Sequence, residues 1–134
     1  RMCTSAASPM VAGVAALVLA VNPYLTPDLV ECILKSTAYD FYQIPDNTTY
    51  LGLLGAGRVD AYEAVLFTKS ASILNLTGSL SGTYLKHIIN ISNATVSGDV
   101  SIHAKELTIN GPFSISTGKS FTADNTGSFS INCN

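Results

Sequence analysis

The sequence predicts an α/β chain in two parts, helical up to Thr68 and β-rich from Lys69 onward, with boundaries at 1–68 and 69–134. Three observations carry this. Before Thr68, apolar residues recur at helical spacing between Pro, Asn and Asp breaks. After Lys69, Thr, Ser, Ile and Val alternate with period two, and Gly or Asn stands at the interruptions. The composition, 47% hydrophobic and 12% charged, is that of a chain with enough apolar surface to fold. The tail is expected to be a small module, either rung-like or an antiparallel meander.

The first helix is expected to start with Ser8 as N-cap and Pro9 at the first helical position, where a missing N–H costs nothing. It should run to Val21. From Met10 to Val21 every residue is apolar or Gly, so the helix is expected to be buried on all sides within a larger body. Asn22-Pro23 stops it. Thr26-Pro27-Asp28 opens a second helix with a cap, a Pro in the first turn and an acid at the positive end of the dipole. In it Leu29, Val30, Ile33 and Leu34 form an inner face, and Glu31 and Lys35 an outer one. Residues 40–50 read as a loop, Gly55-Ala56-Gly57 as a tight backbone passage, and Asp60–Phe67 as a short third helix. In the tail, short strands are expected at Tyr84–Ile91, Val100–Ala104, Leu107–Ile109, Phe113–Ile115 and Phe121–Ala123. Residues 95–102, 116–122 and 126–131 echo one another weakly, as stacked β rungs or a meander would.

Charge and cysteine usage narrow the function. A net charge of −2 leaves no basic surface to hold a phosphate backbone, which sets nucleic acid aside. Cys3, Cys32 and Cys133 form no CxxC pair, so they are expected to act as unpaired small hydrophobes, with one disulfide between any two as the alternative. The 12-residue apolar run is shorter than the ~20 residues that span a bilayer, so no membrane span is expected. Its length suits a signal-peptide core, but Pro9 precedes it, Arg1 is a minimal charge, and Ala20-Val21-Asn22 is a poor cleavage site.

Chemistry concentrates at the N-terminal end. Thr4-Ser5-Ala6-Ala7-Ser8-Pro9 runs directly into Val11-Ala12-Gly13-Val14-Ala15-Ala16-Leu17. A serine at a helix mouth sits beside unpaired backbone N–H groups and the positive end of the dipole, which favours negative charge on an oxyanion. This run resembles the nucleophile block of the subtilisin-like serine proteases, Gly-Thr-Ser-x-Ala-x-Pro entering a long helix. Gly55-Ala56-Gly57-Arg58-Val59-Asp60-Ala61-Tyr62-Glu63-Ala64-Val65 resembles the glycine-rich turn and closing helix near the end of their catalytic domains. Cys3 stands where the family usually has Gly, and Ala6 where a Met usually follows the nucleophile.

The resemblance implies an α/β fragment, C-terminal helices of a parallel-sheet domain whose sheet is largely supplied upstream. It implies a serine endopeptidase in which Ser5 attacks the scissile carbonyl, an upstream His takes its proton, an Asp orients that His, and the Ser5 N–H helps hold the oxyanion. The implied partners are a peptide or protein substrate and the remainder of the catalytic domain. Asp and His of that triad lie upstream in the family, so the 134 residues alone are expected to be inactive. His87 and His103, both in the tail, are expected to be ordinary strand residues. The order Ser, Asp, His also occurs in α/β-hydrolases, but their Gly-x-Ser-x-Gly elbow is missing. No cofactor or metal is expected, and calcium, common in the family, is not assignable to these residues.

Asn47-Thr48-Thr49, Asn75-Leu76-Thr77, Asn90-Ile91-Ser92 and Asn93-Ala94-Thr95 fit the N-glycosylation pattern, as chance allows in so Ser-, Thr- and Asn-rich a tail. Family resemblance implies a secreted, extracellular setting. A rival function is a secreted β-rich binding or attachment module, although the tail has no Trp to stack on a sugar. A third is an inactive pseudoenzyme fragment.

Overall fold

The structure, a computed structural model, describes residues 4–127. It divides into two compact units, with the division between Lys69 and Ser70. Helices fill the first and a four-stranded sheet fills the second.

In the first unit α1 spans Thr4–Val21, so Ser8 is interior rather than the cap, and Pro9 lies inside the helix. Pro9 donates no hydrogen bond to the Ser5 carbonyl one turn back. The helix tolerates that loss because residues 4–10 are all exposed and water can reach the freed carbonyl. The expectation of burial on all sides does not hold. Only Val14 and Val18 are buried, while Met10, Val11, Leu17 and Leu19 are exposed, because the neighbouring helix covers one narrow stripe. By length and composition α1 is apolar enough to cross a membrane, with a mean hydropathy of 1.8, although its strictly apolar run is shorter.

α2 spans Pro27–Ser36 and forms as its sequence predicts: Thr26 caps it by accepting from the Leu29 N–H at 3.4 Å. Val30, Cys32 and Ile33 are buried, and Glu31 pairs with Lys35 one turn on, at 2.5 Å on the exposed side. Residues 40–50 are more ordered than a loop: Phe41–Gln43 and Pro45–Tyr50 are 3-10 helices. Asp40 initiates the first by accepting from the Tyr42 N–H at 2.8 Å. The third helix, α3, spans Ala61–Ser72 and outruns its expected end at Phe67. Thr68 and Ser72 are buried polar residues, and the Thr68 hydroxyl donates to the Ala64 carbonyl at 2.7 Å, which satisfies it without ending the helix.

Cys32 is disulfide-bonded, which corrects the expectation of unpaired cysteines. Cys3 and Cys133 lie outside the described residues, as does most of the third sequence echo, from Ser128 onward.

The second unit holds β1 (Ile73–Leu85), β2 (Ile88–His103), β3 (Glu106–Ile115) and β4 (Phe121–Asp124). Each paired strand runs parallel to its neighbour, so the antiparallel meander is not formed. β1 pairs along β2; β3 pairs with the first part of β2 and β4 with the last. The expected strand Tyr84–Ile91 is instead divided by Lys86 and His87, where one pass of the chain gives way to the next. β1 was largely hidden in the sequence because Gly78 and Gly82, both at positive φ, break its alternation and shift its register.

The core of this unit is mostly β2. Ile89, Ile91, Val96, Val100 and Ile102 are buried at or near 0–1% exposure, since β2 has neighbours on both sides. Phe113 and Phe121 close it with an edge-to-face contact at 5.3 Å. Parallel register also stacks like polar residues: Asn90 Nδ2 donates to Asn75 Oδ1 at 3.0 Å, and the Thr95 and Ser114 hydroxyls bond at 3.1 Å.

Candidate functional site

Ser5 lies in the first turn of α1, exposed, with Thr4 before it and Ala6 and Ala7 after it. The N–H groups of a first helical turn have no acceptor further up the helix and carry its positive partial charge. No acidic side chain occupies that turn of α1 to neutralise it. The segment can therefore present a hydroxyl beside uncompensated N–H groups, the electrostatic half of what an acyl-transfer serine needs.

A second feature of the same unit is a latch around the glycine-rich turn. Tyr39 and Arg58 form an antiparallel bridge, N–H to carbonyl at 2.8 and 3.0 Å in the two directions. The Arg58 guanidinium lies 5.0 Å from the centre of the Tyr39 ring, at cation–π distance. Gly57, at φ +131°, takes the chain past this bridge, and a Cβ there would collide with the Tyr39 carbonyl oxygen. Asp60 then caps α3 by accepting from the Glu63 N–H at 3.0 Å. The tight passage was legible in the sequence. Tyr39 as the residue it passes was not, because that partner lies far back in the chain.

Between α1 and α2 lies an apolar cleft of about 500 Å³, lined by Val11, Leu19, Leu25, Pro27, Val30 and Leu34 among others. It adjoins the exposed apolar side of α1.

The two histidines lie in the second unit. His87 is buried in the turn after β1, and burial, with Lys105 nearby, pushes its pKa down. His103, on β2, has Nδ1 3.0 Å from both Asp124 carboxylate oxygens and 3.3 Å from the Thr126 hydroxyl. Asp124 is held down at about 2, chiefly by the hydroxyl and backbone N–H of Thr126 and then by His103. Among the described residues, no group of three or more His, Cys, Asp or Glu side chains is placed to hold a metal ion.

A serine at an apolar helix mouth, followed by a capped second helix and a glycine latch before a third, is the arrangement on which the family comparison bears. The model of the subtilase family, peptidase S8, matches residues 2–79, more than half of the sequence, and the chain belongs to that family. The match takes in all three helices and the start of β1. No solved structure matches the chain.

Proposed function

We propose that residues 1–68 are the nucleophile-bearing end of a subtilisin-like serine endopeptidase domain, and that residues 69–134 are an appended β module. The observation that carries this reading is the family match over residues 2–79 together with Thr4-Ser5 opening α1. Ser5 is the nucleophile: its Oγ attacks the scissile carbonyl, its proton passes to a His, and its own N–H donates to the oxyanion. That His and its Asp partner belong to a segment ahead of Arg1, together with the sheet on which α1 lies. The apolar residues left exposed on α1 favour this arrangement, since a free helix would not leave Met10 and Leu17 at 70% and 51% exposure without a covering layer. Alone, the 134 residues are expected to hydrolyse no peptide, because the His and Asp of the family's triad precede the nucleophile serine. The setting is extracellular; the Cys32 disulfide supports it, because disulfides persist in oxidising compartments.

The test compares peptide turnover by the 134-residue chain with turnover by the product of the reading frame continued upstream of Arg1. No turnover is expected from the first, and turnover abolished by Ser5→Ala from the second. Hydrolysis by the 134 residues alone, or a longer product whose activity survives Ser5→Ala, overturns the proposal.

A second reading concerns the β module. Its compact core and its exposed rows of Ser, Thr and Asn in parallel register favour stacked β rungs that serve binding or attachment rather than catalysis.

A further inference from the structure

We infer that Asn93 is the N-glycan attachment site of this chain, with the first sugar of the glycan lying in the cleft beside it. The inference rests on the extracellular reading above. Four Asn residues have the acceptor pattern, and the structure treats them differently. Asn47 donates its Nδ2 to the Phe41 carbonyl at 3.1 Å. Asn90 donates its Nδ2 to Asn75 Oδ1 at 3.0 Å, which engages the nitrogen of Asn90 and the oxygen of Asn75. Asn93 is exposed, and among the described residues its side chain makes no hydrogen bond.

The backbone sets Asn93 apart as well. It stands at φ +49°, the one non-glycine residue at positive φ among the described residues, where the pairing of β2 with β3 slips between Ser92 and Ala94. This irregularity leaves Asn93 without a register partner on β1 or β3. Opposite it, Gly111 at φ +78° leaves the space that the Asn93 side chain uses: a Cβ on Gly111 would lie 2.9 Å from Asn93 Oδ1. Of the side-chain atoms of Asn93, Oδ1 thus lies nearest Gly111.

A cleft of about 310 Å³ adjoins this amide, lined by Asn93, Ala94, Thr95, Pro112, Phe113 and Ser114. Its lining combines apolar Pro112 and Phe113 with Thr95 and Ser114, whose hydroxyls bond each other at 3.1 Å. That mixture suits a pyranose ring, which has an apolar face and a hydroxyl rim. In the reaction, Asn93 Nδ2 forms a bond to C1 of the sugar and loses a proton. The bond from C1 to the diphosphate of a lipid-linked oligosaccharide donor breaks, and the lipid diphosphate leaves with the electron pair.

The experiment is peptide mapping of the full chain secreted from a eukaryotic host, after enzymatic deglycosylation in heavy-oxygen water, with the oxidation state of Cys32 read from the same digest. The expected result is a labelled residue 93, with the glycan lost in Asn93→Gln and in Thr95→Ala and retained in Asn75→Gln and Asn90→Gln. Cys32 oxidised with residue 93 unlabelled overturns the site while leaving the extracellular reading intact; Cys32 reduced throughout overturns that reading instead. A glycan carried at Asn47, Asn75 or Asn90 with Asn93 bare also overturns the site.

Discussion

Ile91→Ala tests whether β2 is the core of the second unit. Ile91 is fully buried and lies in register between Leu76 on β1 and Ile109 on β3. The substitution removes three carbons, about 2–3 kcal/mol at roughly 0.8 kcal/mol per buried methylene. The cavity left on the buried face of the sheet adds to this, for a total of about 3–4 kcal/mol. In a unit of this size each kcal/mol moves the midpoint by roughly 4–8 °C, so the thermal transition of the sheet should fall by roughly 12–30 °C. Ile109→Ala is the control: its side chain occupies the same column but is 41% exposed on the outer strand, and the loss should be about 1 kcal/mol. Urea unfolding of the full chain, followed by circular dichroism in the strand region, measures both. Equal losses for the two variants, or less than about 1 kcal/mol for Ile91→Ala, would refute the assignment of β2 as the central strand.

Gly57→Ala should destabilise the first unit by about 1–3 kcal/mol or more, since it combines a strained φ with a collision against the Tyr39 carbonyl. A melting temperature within error of the parent would show that the latch does not form. Asp124 has a pKa of about 2 in the folded chain, below its ordinary 3.8, so its contribution to stability is complete above pH 4 and disappears as the pH falls towards 2. Asp124→Asn should flatten that acid limb in denaturation curves taken across the same window, and an unchanged limb would mean that the contacts with Thr126 and His103 are absent.

The helical half was legible because its signals are local. Thr26 and Pro27 fix where α2 begins, and Asn22-Pro23 where α1 ends, through backbone chemistry that acts within a few residues. Gly57 announced a close approach for the same reason. The start of α1 was misplaced because a Pro in a helix is judged by the hydrogen bond it removes, and whether water can replace that bond depends on exposure.

The tail was harder. Period-two alternation identifies strands, but parallel and antiparallel pairing present the same alternation, so direction was open until the register of β2 against β1, β3 and β4 was seen. By itself the sequence determined the two-part division of composition, the caps of α2 and the Thr4-Ser5 block that places the chain among the subtilases. Tertiary structure alone decided that the strands pair in parallel, that α1 buries only Val14 and Val18, and that the amide nitrogen of Asn90 is bonded while the side chain of Asn93 is not. The physical reason is one of range: caps and turns are settled between near neighbours, whereas pairing direction, burial and the partner of an amide depend on residues brought together from distant parts of the chain.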